Sequence, residues 1–258
     1  MATDEPAAPL RLNLGAAKTY IPGFVNIDIH EAAELSLDLG AERLPFPDDS
    51  VRTVVSHHTL EHVPDYLFAL GEIHRVLEHD GELLLSLPYA TLTENHMVNP
   101  YHLHNFTERS FDFFDPLKLK GSAAEDGEIA FRTVVVRFTY IGYFGLAPKW
   151  LRVWARKHLL NVVRQFDIAL VAIKDPGRPV DVGKERARKL EARIVELKRQ
   201  RTAYPRPGEK AGGPDADAPV AGAAAANAQR PRPAGSLARR ARRRVQLALR
   251  RRTEIRHD

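Results

Sequence analysis

Four short runs place residues of chemical capacity at or just after apolar stretches. The first is Asn13-Leu14-Gly15, where a glycine lets the main chain approach a nucleotide closely. The second is "NIDI", which sets Asp28 between Ile27 and Ile29. A carboxylate there can accept hydrogen bonds from both hydroxyls of a ribose. The third run holds Asp38 and Leu39, and the fourth is Ser56-His57-His58. The stretch "LNLGAAKTYIPGFVNIDI" has the layout of a nucleotide-binding strand, loop and second strand, yet Ala16 and Ala17 follow Gly15 where more glycine is expected. A separate group is His96, His102 and His104. Clustered imidazoles can bind a metal, but no carboxylate or cysteine completes a known ligand spacing here, so no metal is expected.

These runs need a scaffold that brings them together. Leu10–Leu14, Gly23–Ile29, Leu35–Leu39, Thr53–His58 and Glu82–Pro88 read as five short, largely apolar strands. Asp65–Leu77 has apolar residues at helical spacing, and "HDG" after it reads as a turn, with Gly81 free to take a positive φ. Near-continuous apolar strands separated by helices predict a parallel sheet covered on both faces. In such sheets ligands sit at the carboxyl ends of the strands, where all four runs fall. Further on, a short helix is expected near Glu108, strands over Ala130–Phe144 and Phe166–Lys174, and an amphipathic helix over Pro148–Gln165.

Composition bounds the rest. The chain has 258 residues, 44% of them hydrophobic, and no cysteine, which excludes a disulfide framework and a Cys-based zinc site. The N-terminus lacks the pattern of a signal peptide, and no apolar run is long enough to span a membrane, so a cytoplasmic protein is expected. The formal net charge of +5 is uneven, because Ser236–Asp258 holds nine Arg against two acids. Everything before that tail is then slightly acidic, at roughly −2. Five segments are expected: a disordered start (1–9), a main domain (10–174), a charged helical extension (175–203), a disordered Pro/Ala/Gly-rich linker (204–235) and an Arg-rich amphipathic tail (236–258). The helix itself is expected at Val182–Ala203 with a thin stripe of Leu190, Ile194 and Leu197. The tail suits an anionic membrane face or another polyanion.

The combination of "LNLGA", "NIDI", "LPFPDDSV", "LEHV" and "EIHRVLEHDGELLLSLP" resembles the class I S-adenosylmethionine (SAM)-dependent methyltransferases. It is most similar to small bacterial domains of the type 11 kind, and "NPYHLHNFTERSF" is similar to a segment that follows their fifth strand. The resemblance covers about residues 10–174. It implies an α/β, Rossmann-like sheet of seven strands with helices on both faces, the seventh strand antiparallel and inserted beside the fifth. It also implies SAM as cofactor. Asn13, Gly15, Ala16 and Ala17 would lie under its methionine part, and Asp28 would bind the ribose with Ile29 against adenine. Asp38 and Leu39 would face the adenine amino group, and Ser56 and His57 the transferable methyl. His102, with His104 as second choice, would take the proton from an acceptor hydroxyl.

The family loop reads Gly-x-Gly, and here Ala17 stands at the second glycine; Asn99 stands at a family Asp. If position 17 needs a positive φ, alanine there costs on the order of 1 kcal/mol. The implied activity is methyl transfer to a small or glycan-type acceptor, a sugar oxygen in envelope or polysaccharide synthesis being the expectation. The alternatives are a methyltransferase-like scaffold without turnover, and a domain tethered to membrane or nucleic acid by its Arg-rich tail. Tyr140, Tyr143, Phe144 and Trp150 are candidate acceptor walls.

Overall fold

The computed structural model describes residues 9–17, 19–30, 33–93, 98–118 and 128–203. The expected linker, the Arg-rich tail, most of the N-terminal segment and His96 lie outside these residues. The main sheet is built from β1 (Leu10–Leu14), β3 (Val25–Asp28), β4 (Leu35–Ser36), β5 (Val51–His57), β6 (Leu77–Pro88), β7 (Phe131–Tyr140) and β8 (Val163–Ala172). Their order across the sheet is β4-β3-β1-β5-β6-β8-β7. The first five are parallel, and β8 runs antiparallel to both β6 and β7. This is the expected seven-stranded α/β, Rossmann-like sheet. Strand order reverses at β1, so the crevice at the carboxyl ends of β1 and β5 is the switch point where such sheets take ligands.

One face of the sheet packs on α1 (Tyr66–Val76), through Ala69, Leu70, Ile73 and Val76, all buried. Asp65 caps this helix by accepting from the Phe68 amide at 2.9 Å. The "LPFPDDSV" and "EIHRVL" motifs meet here. Arg75 donates to the carbonyls of Leu44 and Phe46 and to Asp48 and Glu72. The Leu44 amide closes the ring by donating to Glu72 at 2.9 Å. Burial opposes the charge on Glu72, but its bonds to Arg75, Leu44 and Arg43 outweigh it and hold the carboxyl below its ordinary pKa. These two motifs are therefore one brace between loop and helix, away from the chemistry.

The opposite face is covered in a way the sequence did not indicate. The connection from β1 to β3, residues 15–24, is too short to lay a helix back along the sheet. Its Ile21 and Phe24 cover part of the face, and α3 (Lys184–Gln200) covers the rest. Leu190, Ile194 and Leu197 of α3 pack with Val55, Leu84, Val135 and Ala169 in one buried cluster. Buried polar groups of the sheet are answered from the same helix: Lys198 meets Asp167 at 2.5 Å and Arg193 meets Glu82 at 2.6 Å. Directly after α3, β9 (Thr202–Ala203) pairs with β2 (Thr19–Tyr20), next to the glycine loop. The segment expected as an extension beyond Lys174 is thus part of the core.

Smaller differences have local causes. Strand β6 begins at Leu77, directly after α1, and Asp80 rather than Gly81 takes the left-handed conformation, with φ 62°. Gly81 is needed for space instead, since a Cβ there would lie 2.8 Å from the Glu78 carbonyl. The helix α2 (Lys149–His158) stops well short of Gln165, because Val163 onward joins β8. A 3-10 turn, Ser110–Phe114, stands where a helix near Glu108 was expected. His74 on α1 is buried against the edge of Phe131, and its Nε2 lies 3.2 Å from the Ile173 carbonyl.

Candidate functional site

The strand ends converge as the sheet order requires. Gly15 leaves β1 with φ 70°, and the amides of Gly15 and Ala16 both donate to the Ile27 carbonyl, at 2.9 and 3.1 Å. A Cβ on Gly15 would lie 1.9 Å from Thr59 Oγ1, so both conformation and the approach of Thr59 demand glycine. Ala17 sits at φ 51°, in the left-handed region that glycine occupies without cost. Its amide donates to Asp28 Oδ2 at 2.7 Å, while the His30 amide donates to Asp28 Oδ1 at 3.0 Å. The Asp28 carboxylate is thus clamped by two backbone amides. Each oxygen can accept a further bond, as a pair of ribose hydroxyls requires. Beside it Ile29 is 63% exposed, an apolar side chain placed to lie under an aromatic ring.

Other residues singled out from the sequence serve the scaffold. Asn13 donates to Asn26 Oδ1 at 2.8 Å, and Asn26 in turn holds the amide and carbonyl of Ile21. That pair pins the β1–β3 connection from beneath. Asp38 accepts from the Gly40 amide at 2.9 Å and so shapes the turn that buries Leu39. Ser56 is buried on the α1 face. His57 lies at the end of β5 on the side toward α3. Its ring faces a cavity of about 20 Å³ shared with Ile21, Ser86, Ile194, Lys198 and Arg201, room for about one water molecule. Burial first, then the neighbouring His58, Arg201 and Lys198, push its pKa down to about 3, so the ring is neutral at physiological pH.

The histidines after β5 and those of the loop at 98–106 gather on a 3-10 turn, Leu60–His62. The Glu61 carbonyl accepts the amides of Leu103, at 2.7 Å, and His104, at 3.3 Å, which fastens the loop to the turn. The His104 ring then contacts the Val63 and Pro64 carbonyls through Nε2, at 2.9 and 3.2 Å, which helps to fasten the loop. His102 stands edge-on to His62, with ring centres 4.7 Å apart. Glu61, fully buried between them, was not among the residues selected from sequence; "LEHV" carried the only signal. Of the aromatic residues expected to wall an acceptor pocket, Tyr143 is 93% and Trp150 72% exposed, while Tyr140 and Phe144 are half-buried, Tyr140 beneath the Arg152 guanidinium.

Residues 23–85 match the type 11 methyltransferase family, described as a methyltransferase domain. A 50-residue stretch is 44% identical to an uncharacterized methyltransferase, YcgJ, of Bacillus subtilis, covering 19% of this chain and 20% of that protein. The chain therefore matches about a fifth of that relative's length. The crystal structure of YcgJ is similar over 66% of this chain and 94% of its own, at 16% identity and a TM-score of 0.43. A SAM-dependent methyltransferase from Archaeoglobus fulgidus is similar over 64% of this chain and 86% of its own, at 14% identity and a TM-score of 0.46.

Proposed function

We propose that this methyltransferase-domain protein is an enzyme that binds SAM at the carboxyl ends of β1, β3 and β5 and passes its methyl to an acceptor oxygen. The observation that carries this reading is the Gly15–Asp28–Ile29 cradle: an open backbone turn, a carboxylate held by two amides, and an exposed apolar side chain beside it. Those three features suit the ribose and adenine of SAM. Asp28 and Ile29 would hold the nucleoside and the Gly15–Ala17 backbone would run beside the methionine, with Asp38 and Leu39 supporting the adenine side indirectly through their turn. When bound, SAM supplies an electrophilic methyl on a sulfonium.

The protein's part is to align an acceptor oxygen with that methyl and to exclude water. His102, on the loop fastened over the turn after β5, is the side chain that would accept the acceptor's proton. The acceptor class we favour is a saccharide, and its lipid-linked form is supported by the outward face of α2 and the 3-10 turn before it, Gly142–Gly145. Tyr143, Leu146, Trp150 and Trp154 are exposed there beside Lys149 and Lys157, the mixture of aromatic and basic groups that suits an anionic lipid surface. No helix among the described residues is long and apolar enough to cross a membrane.

Calorimetric titration with SAM and S-adenosylhomocysteine tests the first step, and transfer of labelled methyl from SAM into fractionated cell extract tests the second. Saturable binding that Asp28→Ala abolishes, with label appearing in saccharide or lipid-linked saccharide fractions, is the expected result. A folded protein that binds neither ligand at millimolar concentration rejects the reading. Binding without transfer to any fraction would instead identify a scaffold that has lost turnover.

A further inference from the structure

We propose that Glu61, His62 and His102 form a binding site for one divalent transition-metal ion, Zn²⁺ by its donor set. Glu61 is 0% exposed, and neither of its carboxylate oxygens has a hydrogen-bond partner among the described residues. A buried carboxylate is costly unless paired, hydrogen-bonded or coordinated. The groups turned toward it are imidazoles: His58 Nδ1 lies 3.3 Å and His62 Nε2 4.0 Å from Oε1.

The other contact of His62 fixes which nitrogen is available to an ion. Its Nδ1 lies 2.9 Å from the Tyr101 carbonyl, which can only accept, so Nδ1 carries a hydrogen and Nε2, turned toward Glu61, is the nitrogen that an ion would take. A ring nitrogen donating to a backbone carbonyl while the other faces the ion is the usual posture of a metal-bound histidine. His102 completes the set, and one ligand atom from each of the three residues lies within 4.8 Å of the others. Bonds of about 2.0–2.2 Å place tetrahedral donors roughly 3.4 Å apart, so closure needs a movement of about 1.5 Å at most. Side-chain rotation supplies it, because the backbone is already tied by the Leu103 and His104 amides to the Glu61 carbonyl.

Two imidazole nitrogens and one carboxylate oxygen favour Zn²⁺ or a neighbouring first-row ion over Mg²⁺ or Ca²⁺, which prefer oxygen ligands. The sequence alone could not show this set, since its carboxylate comes from the turn after β5 and not from the histidine-rich loop. Binding of the ion stands apart from the SAM reading. At His102 the two do interact: an ion takes the lone pair that a proton acceptor needs, so zinc loading and base action by His102 exclude each other.

The test uses the full chain, freed of metal by chelator and titrated with Co²⁺ as a spectroscopic probe, followed by Zn²⁺ competition and elemental analysis. One ion per chain is expected, with visible Co²⁺ bands that Zn²⁺ abolishes. Glu61→Gln, His62→Asn and His102→Asn should each weaken binding by at least about 10-fold, the least that loss of even an outer partner of a metal site costs, while His158→Gln leaves it unchanged. Should Glu61→Gln fail to fold, the two histidine variants decide, His62 being at the surface. Absence of Co²⁺ bands and of zinc uptake at 100-fold excess over protein (~1 mM ion) overturns the proposal, and so does uptake that the histidine substitutions leave unaltered.

Discussion

Replacing Ile194 by alanine asks whether α3 is part of the domain or an appendage to it. Ile194 is 4% exposed and packs within the cluster that joins α3 to Val55, Leu84 and Ala169 of the sheet. The change removes about three buried carbons, worth roughly 2.4 kcal/mol at about 0.8 kcal/mol each. A cavity beneath a helix held at both ends collapses only partly, which adds to that figure. The expected loss is therefore about 3 kcal/mol, inside the range measured for such truncations. Urea unfolding followed by far-ultraviolet circular dichroism measures it, with Glu191→Ala on the exposed side of α3 as the control. The expected result is one cooperative transition, shifted to lower urea for Ile194→Ala and unmoved for Glu191→Ala. An unchanged midpoint, or an early separate loss of a helix-sized signal, would refute the claim that α3 shares the core. A chain cut after Lys174 should by the same reasoning expose the Val55–Leu84–Ala169 face and fail to fold cooperatively.

Ala17→Gly removes a methyl from a residue at φ 51°. Relief of left-handed strain is worth about 1–2 kcal/mol, less about 0.4–1 kcal/mol for the added freedom of the unfolded chain. A gain of up to about 1 kcal/mol in urea stability is expected, with SAM binding tightened in calorimetry; weaker binding would show that the methyl belongs in the site. His57 has a folded-state pKa of about 3, below its ordinary value. Its contribution to stability is therefore present above about pH 6.5 and is lost as pH falls toward 3. Between pH 7.5 and 5 the protein should lose about 1–2 kcal/mol on this account. His57→Gln should flatten that part of the profile, and an identical pH slope in the variant would count against it.

Much of the sheet was legible because local patterns carry it. Apolar runs of strand length, the helical spacing of Leu67, Leu70 and Ile73, and the positions of Gly15 and Asp28 at strand ends all follow from neighbours in the chain. The count of seven strands and the antiparallel last strand beside β6 came through resemblance, and the topology agrees. Of the selected residues, Gly15, Ala17, Asp28 and Ile29 come together at one cradle. His57 goes elsewhere because strand alternation turns it onto the α3 face with Val55, and the sequence did not reveal that a helix waits there. His104 is an anchor because the loop at 98–106 folds onto the turn after β5.

The sequence by itself determined the strands of the parallel sheet and the residues available at their ends, and it raised the question of a positive φ at position 17. Those properties depend on side-chain periodicity and on φ, which act within a few residues. Only the tertiary structure decided what covers the second face of the sheet. A ten-residue connection leaves that face bare, and burial draws in Leu190, Ile194 and Leu197 from far along the chain. It also decided that Glu61 meets His62 and His102, since a contact between distant segments is fixed by packing and leaves no local trace.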